Sequence, residues 1–219
     1  MQAIIFANGD FVSPPDIADH LDSADLVIAA DGGSQHCLTL NLRPHVLIGD
    51  LDSIESSVLA DWKAQGVRVI QHPVDKDQTD LELALVYAKE AGATQIAVLG
   101  GLGKLWDHSI ANLLLLANPQ FNGLDIVFVH GEQKLFVVKG EKRLSAKPGQ
   151  RVSLLPLSGD VKRVTTRGLK YSLKAEALLF GSSRGVSNVV INDDPQIEVQ
   201  NGILLCVISP SISELEGRI

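Results

Sequence analysis

Residues 26–34 read LVIAADGGS, and residues 46–53 read VLIGDLDS. In each stretch a short apolar run, residues 26–30 or 46–48, stops at an Asp or a Gly. Similar runs occupy residues 3–7, 67–70, 96–99 and 126–129. Many of them are rich in Ile and Val, which suits strands buried on both faces. They therefore predict a parallel sheet.

The segments between these runs have the spacing of helices. Residues 53–65 start with a Ser that suits a helix cap, residues 79–91 open with T-D-L-E, and residues 106–117 are rich in Leu and Ala. Strands that alternate with helices predict βαβ units and an open α/β sheet.

The pattern changes after about residue 131. Strand-like segments follow at residues 135–139, 151–156, 163–166, 177–180, 186–191 and 203–208. Turn signals such as Pro148-Gly149, Ser158-Gly159 and Asn201-Gly202 separate them. We predict an α/β domain over residues 1–130 with an open parallel sheet, followed by an all-β, sandwich-like domain over residues 131–219.

Charge and composition exclude several partners. The chain has 219 residues and a net charge of −7, and residues 1–130 carry 6 Lys and Arg against 17 Asp and Glu. Neither half has a basic stripe, which disfavours nucleic acid as a partner. No apolar run approaches the roughly 18–20 residues that cross a bilayer, so no membrane association is expected. The N-terminus lacks the features of a signal peptide. Two cysteines are too few to stabilise a domain of this size by disulfide bonds, so we expect a cytoplasmic protein.

Acidic residues follow four of the predicted strands. The motifs are Asp31-Gly32-Gly33, Gly49-Asp50-Leu51-Asp52-Ser53, Asp75-Lys76-Asp77-Gln78-Thr79-Asp80, and Asp107-His108 after Gly100-Gly101-Leu102-Gly103. Turns and helix caps explain any one of them, but four at strand ends favour a ligand site, because open parallel sheets bind ligands there. Carboxylates this close need a cation, and oxygen ligands favour Mg²⁺ or Mn²⁺. The glycines would let backbone N–H groups approach phosphate oxygens, which predicts a nucleotide–metal site.

Two common nucleotide-binding motifs are missing. The P-loop pattern G-x-x-x-x-G-K-[ST] does not occur, and Asn8-Gly9-Asp10 after the first run is a poor substitute for G-x-G-x-x-G. A P-loop enzyme is therefore excluded, and a Rossmann dehydrogenase is disfavoured.

Taken in order, the motifs resemble those of the thiamine pyrophosphokinase family. Its pattern is an A-D-G-G strand end, a G-D-x-D-S, a K-D-x-T-D and a G-G-R-x-D-H that each head a helix, and a late S-N in a β domain. The matching motifs here are Ala30-Asp31-Gly32-Gly33, Gly49-Asp50-Leu51-Asp52-Ser53, Lys76-Asp77-Gln78-Thr79-Asp80, Asp107-His108 with Asn112, Gly168-Leu169-Lys170-Tyr171 and Gly185-Val186-Ser187-Asn188.

The resemblance implies a homodimer with an ATP- and Mg²⁺-binding catalytic α/β domain and a thiamine-binding β-sandwich. It also implies the reaction, in which thiamine and ATP give thiamine diphosphate and AMP. The thiamine hydroxyl would attack the β-phosphorus, so that a pyrophosphoryl unit moves in one step.

The resemblance also implies roles for individual residues. Asp50, Asp52 and Asp80 would hold Mg²⁺, and Asp31 and Asp77 would order metal-bound water or the attacking hydroxyl. The ATP contacts would be Gly32, Gly33, Gln78, Thr79, Lys104, Asp107 and His108. Ser187 and Asn188 would form part of the thiamine pocket near the dimer contact.

Two positions depart from the family pattern. Leu105 stands where the family has Arg, with Lys104 in place of the preceding Gly, and Val189 stands where many bacterial relatives have Glu. Leu does not replace an Arg fork on phosphate oxygens, so we hypothesise that Lys104 partly covers the loss. Two other functions stay open: a pyrophosphokinase for another alcohol such as a hydroxymethylpterin, and a non-catalytic thiamine- or nucleotide-binding protein.

Overall fold

A six-stranded parallel sheet organises Met1–Gly131, the first of two compact units into which the chain divides. The structure, a computed structural model, describes residues 1–211, so residues 212–219 of the predicted second domain lie outside the described residues. The strands of the first unit are β1 (Gln2–Phe6), β2 (Leu26–Ala30), β3 (Val46–Gly49), β4 (Arg68–Gln71), β5 (Gln95–Leu99) and β6 (Asp125–His130). Their order is β6-β5-β1-β2-β3-β4, and every neighbouring pair is parallel. The predicted open α/β sheet is confirmed.

The central strands are buried on both faces. Phe6, Ala29 and Leu47 stand in one row across β1, β2 and β3 and belong to one apolar core cluster. Ile5 and Ile28, which point to the opposite face, are also fully buried. The prediction of burial on both faces is wrong for β4, whose two end residues are exposed. The reason is that β4 lies at the edge of the sheet, where β3 is its one pairing partner among residues 1–211.

Five helices connect these strands. They are α1 (Ile17–Asp22), α2 (Gly33–Thr39), α3 (Ser56–Ala64), α4 (Asp80–Glu90) and α5 (Trp106–Leu115), with a short 3-10 helix at Pro119–Phe121. The helix predicted from residue 79 is confirmed, because the hydroxyl of Thr79 caps α4 by accepting the N–H of Glu82. The Ser cap predicted at residue 53 is wrong: α3 begins three residues later, with Glu55 at its N-cap position.

The second unit begins at Glu132 and consists of antiparallel strands. Its strands are β7 (Gln133–Arg143), β8 (Arg151–Pro156), β9 (Val161–Arg167), β10 (Glu176–Leu178), β11 (Asn188–Val189) and β12 (Gln196–Ser209). The predicted all-β second half is confirmed for the residues that the structure describes.

One predicted turn lies inside a strand. Asn201-Gly202 falls within β12, which pairs with β9 before this point and with β8 after it, while β7 pairs with both halves. The register shifts between Val199 and Leu204, and Gly202 has a φ of 105°. The predicted turn is therefore wrong at this position, where a glycine instead bends one long strand.

Over residues 1–211, no helix combines the length and the apolar character that a membrane span requires.

Candidate active site

A cleft of about 580 Å³ opens at the carboxyl ends of β1, β2, β3 and β5. It is lined by Ala7, Asn8, Gly9, Ala30, Asp31, Asp50, Val74, Lys76, Gln78, Thr79, Asp80, Leu81, Gly101, Gly103, Lys104, Leu105, His108, Ser109 and Asn112. All of these residues belong to the first unit. The cleft thus lies where an open parallel sheet binds its ligands.

Three carboxylates form a group beside the cleft, and two of them, Asp31 and Asp50, belong to residues that line it. Asp31, Asp50 and Asp52 each offer an oxygen, and these oxygens all lie within 4.8 Å of one another. The negative charge of Asp50 raises the pKa of Asp52, and the loss of hydration and the charge of Asp31 add to this effect. Mutual repulsion of this kind is what a divalent cation would relieve.

The backbone around these carboxylates is held in unusual conformations. Asp31 has a φ of 45° and Leu51 a φ of 70°, both in the left-handed region. The Leu51 side chain is buried in the apolar core, which fixes the loop between the two neighbouring aspartates. Asp31 is further held by the hydroxyl of Ser53, which donates to its Oδ1 at 2.7 Å. Ser53 thus binds a site carboxylate rather than capping α3.

Asp80 enters the cleft from the first turn of α4. Its Oδ1 lies 3.0 Å from Nζ of Lys76, and burial raises the pKa of Asp80 although Lys76 opposes the shift. The three-carboxylate group is Asp31, Asp50 and Asp52, so Asp80 is not one of its members. The negative charge of Asp80 nevertheless contributes to the raised pKa of Asp52.

The loop after β5 forms the opposite side of the cleft. The side-chain amide of Asn112 on α5 donates to the carbonyl of Gly101 at 2.8 Å, and the Ser109 hydroxyl accepts the N–H of Gly103 at 3.0 Å. Lys104 and His108 both line the cleft. These contacts tie the glycine-rich loop to the first turns of the helix that follows it.

Several predicted ATP contacts lie outside the cleft lining. Gly32 and Gly33 pack tightly instead: a Cβ on Gly32 would stand 2.3 Å from the side chain of Asn8, and one on Gly33 would stand 1.9 Å from the carbonyl oxygen of Phe6. Asp107, another predicted ATP contact, does not line the cleft, and neither does Asp77, which was predicted to order metal-bound water or the attacking hydroxyl. Asp107 instead accepts the N–H of His108 at 2.9 Å.

The two predicted thiamine-binding residues lie in the second unit. The hydroxyl of Ser187 accepts a hydrogen bond from Arg151 at 2.6 Å. The side chain of Asn188 accepts the N–H of Tyr171 at 2.9 Å and donates to its carbonyl at 2.7 Å. Asn188 thereby holds the backbone of Tyr171, whose side chain is 63% exposed.

Sequence reasoning missed Asn8 and Lys76 among the residues that line the cleft. Asn8 follows a strand end, like the motifs that were chosen. The rule that placed Asp31 and Asp50 at the site, applied to the first apolar run, could have found it. Lys76 stood inside a chosen motif, but its charge alone did not distinguish it from a surface lysine.

The fold and the site together define the class: an α/β protein whose acidic cleft at the strand ends suits a divalent cation and an anionic ligand. The family models agree with this class. The model described as "Thiamin pyrophosphokinase, catalytic domain" matches residues 17–128, and "Thiamin pyrophosphokinase, vitamin B1 binding domain" matches residues 138–204. The chain belongs to the thiamin pyrophosphokinase family.

Individual relatives match over nearly the whole chain. The thiamine pyrophosphokinase of Bacillus subtilis (strain 168) is 28% identical over 207 residues, which cover 94% of this chain and 97% of the relative. A crystal structure of the Bacillus subtilis protein superimposes with a TM-score of 0.86, covering 96% of this chain and 99% of that one. A crystal structure of the thiamin pyrophosphokinase of Geobacillus thermodenitrificans, 27% identical, has a TM-score of 0.83, covering 97% and 99%.

Proposed function

We propose that this chain transfers a pyrophosphoryl group from ATP to the hydroxyl of thiamine, giving thiamine diphosphate and AMP. The main support for the proposal is the acidic cleft at the strand ends. This cleft occurs in a chain whose two halves match the two family models in the same order. The match to relatives named for this activity extends over both halves.

Mg²⁺ is the proposed metal, with Mn²⁺ as an alternative. Asp50 and Asp52 would hold it, with Asp80 beside them and Asp31 within reach of metal-bound water. The oxygen-only donor set of these residues fits such a hard cation. When bound, the ion would neutralise charge that develops on the phosphate oxygens.

The protein's own groups would position the reactants. In the transfer, a bond forms between the thiamine hydroxyl oxygen and the β-phosphorus, and the bond from that phosphorus to the AMP oxygen breaks. A primary alcohol is a weak nucleophile, so a carboxylate must accept or orient its proton, and Asp31 and Asp77 are the proposed groups. Gln78, Thr79, Lys104, Asp107 and His108, with the backbone of Gly32 and Gly33, are the proposed ATP contacts.

We place the thiamine pocket in the second domain, residues 131–219, and the ATP site in the first, residues 1–130. Ser187 and Asn188 would contribute to the pocket, Asn188 through its hold on Tyr171. The ring of Tyr171 is exposed and would stack on the flat rings of thiamine, and Nζ of Lys170, 5.5 Å from its centroid, is a cation already next to it.

We further propose a cytoplasmic homodimer that binds neither nucleic acid nor membrane. Support comes from the free, buried Cys37 and Cys206 and from exposed apolar side chains such as Trp106, which is 82% exposed. Light scattering from the purified protein should give twice the chain mass, and a monomeric mass would refute the dimer.

The function is tested by incubating the protein with Mg²⁺, ATP and a panel of alcohols while AMP release is measured. We expect AMP to form with thiamine, together with thiamine diphosphate. AMP formation with a hydroxymethylpterin but not with thiamine would identify another acceptor. Tight binding of thiamine or ATP without AMP formation would identify a binding protein.

A further inference from the structure

Two lysines line the cleft, and their partners differ. Nζ of Lys76 lies 3.0 Å from a carboxylate oxygen of Asp80, so its charge is compensated within the protein. Nζ of Lys104 donates to the side-chain oxygen of Asn8 at 3.1 Å. Within residues 1–211, Lys104 forms no ion pair with a carboxylate. Lys104 therefore brings to the cleft a positive charge whose hydrogen-bond partner is a neutral amide.

Asn8 connects this lysine to the acidic side of the cleft. Its side-chain oxygen accepts from Lys104, and its side-chain nitrogen lies 3.4 Å from Oδ2 of Asp31, to which it donates. The amide also fills the space above Gly32, where a Cβ would stand 2.3 Å from it. Asn8 thus separates the ammonium of Lys104 from the carboxylate of Asp31 without neutralising either.

Asp10 holds the backbone of Lys104. A carboxylate oxygen of Asp10 accepts the N–H of Lys104 at 3.2 Å, and the same side chain occupies the space where a Cβ on Gly103 would stand. The loop that carries Asp10 is itself tied to the loop after β5, because the N–H of Asp10 donates to the carbonyl of Leu102 at 2.7 Å.

Lys104 is held in a conformation that a glycine would adopt more easily. Its φ is 54°, in the left-handed region that disfavours a residue with a Cβ. Backbone strain of this kind concentrates at functional sites, where the surrounding structure maintains it. Lys104 lines the cleft, and its ammonium reaches the side chain of Asn8.

We propose that Lys104 is the phosphate-binding cation of the cleft, and that Asn8 and Asp10 are positioning residues that hold it there. The ligand is the polyphosphate of a nucleoside triphosphate, so the inference rests on the proposed function for the identity of the donor. Asn8 and Asp10 belong to the one strand-end motif that the family resemblance does not use.

The test measures binding without turnover. The Mg²⁺ complex of α,β-methylene-ATP is titrated calorimetrically into the wild-type protein and into Lys104→Met. We expect the dissociation constant to rise on the order of 10-fold to 100-fold, because a charged hydrogen bond to phosphate is lost. Lys63→Met, at an exposed position in α3, is the matched control and should bind like the wild type.

A double-mutant cycle tests the positioning role. Asn8→Ala alone should weaken binding of the analogue about 3-fold to 10-fold, whereas in the Lys104→Met background it should have no further effect. In steady-state kinetics, Asn8→Ala and Lys104→Met should raise the KM for ATP and leave the KM for thiamine unchanged. Partial unfolding would lower the concentration of active enzyme, and with it the apparent kcat, and would leave both KM values unchanged. A rise confined to the KM for ATP therefore distinguishes positioning from unfolding.

The outcomes separate this inference from the proposed function. Analogue binding that is unchanged in Lys104→Met, or additive effects in the cycle, would overturn the inference while thiamine-dependent AMP formation still supported the function. Absence of AMP formation in a wild-type protein whose analogue binding depends on Lys104 would overturn the function and support the inference. A wild-type protein that does not bind the analogue would overturn the inference directly.

Discussion

Three residues at the cleft adopt backbone conformations that are unfavourable for residues with a Cβ atom. Asp31, Leu51 and Lys104 all have positive φ angles without being glycine. Each lies beside a charged group of the cleft, and each is maintained by a specific contact: Ser53 for Asp31, the apolar core for Leu51 and Asp10 for Lys104. The contacts that maintain the strain at these three positions also fix the charged groups of the cleft.

The acidic cluster gives the first prediction. Asp50→Asn and Asp52→Asn should each lower the rate of AMP formation by on the order of 10²-fold or more, because charge neutralisation at the phosphates would be lost. The rate is measured at saturating ATP and thiamine. Asp22→Asn, at an exposed position at the end of α1, is the control. Near-normal rates in both variants would refute the assigned role.

The strain at Lys104 gives the second prediction. Lys104→Gly should raise the free energy of unfolding by about 1 kcal/mol, because glycine adopts a positive φ without steric cost. Lys104→Ala keeps the Cβ and should not gain this stability. Urea denaturation of both variants measures the difference. Equal stability of the two would show that the backbone at this position is not strained.

Helices and strands of this protein differ in how far their bounds and burial depend on residues that are distant in the sequence. The helix α4 begins where its own residues cap it, since Thr79 accepts the N–H of Glu82. By contrast, the burial of β4 depends on its place at the edge of the sheet, and the course of β12 depends on three partner strands. The sequence therefore predicts the bounds of an element correctly when hydrogen bonds between neighbouring residues set its ends.

The cap of α4 gives the third prediction. Thr79→Ala should lower the free energy of unfolding by about 1 kcal/mol, because the N–H of Glu82 loses its acceptor. Thr79→Ser retains the hydroxyl and should stay close to the wild type in the same urea titration. A Ser variant as unstable as the Ala variant would show that the methyl group, not the cap, stabilises this position.

The bend in β12 gives the fourth prediction. A Cβ on Gly202 would stand 2.9 Å from Cγ2 of Val161, and the φ of 105° adds strain. Gly202→Ala should therefore lower the free energy of unfolding by roughly 1–3 kcal/mol. Gly159 also has a positive φ but open space around it, so Gly159→Ala measures the conformational strain alone. Thermal unfolding that ranks Gly159→Ala below Gly202→Ala in stability would contradict the steric argument.

The whole molecule contains one buried thiol in each of its two units. Cys37 lies in the first unit and Cys206 in the second, and burial raises the pKa of each thiol to about 12 from a reference value of 9.0. The folded state holds the thiols protonated. Their contribution to stability is therefore complete below about pH 9 and declines as the pH rises towards 12.

These thiols give the fifth prediction. In native protein at pH 8 neither cysteine should react with a thiol-specific chromogenic reagent on the timescale of minutes, and both should react in denaturing urea. The variants Cys37→Ala and Cys206→Ala leave one thiol each, so the urea dependence of labelling reports the opening of each unit separately. Rapid stoichiometric labelling of either variant without urea would contradict the burial.

Much of this protein is predictable from the order of its residues. Apolar runs bounded by Gly and Asp predict the six strands of the parallel sheet, because burial on both faces requires continuous hydrophobicity. The strand-end rule also leads to Asp31, Asp50 and Asp80 as cleft residues, since parallel strands end at one edge of a sheet. The short helix α1 gave too weak a signal: its six residues carry a single apolar pair, Ile17 and Leu21, which packs against the core but is too short to show a helical period.

Only the tertiary structure determines which distant residues form hydrogen bonds with each other. Ser53 reads as a helix cap, yet folding brings it to Asp31, where its hydroxyl has a charged acceptor. Asn8 and Lys104 are 96 positions apart, and they meet only because β1 and β5 are neighbours in the sheet. A short sequence pattern indicates which residues are buried and which backbone conformation they prefer, because both depend on a few neighbouring residues. Hydrogen bonds between loops depend on strand order, which no single stretch of the chain specifies.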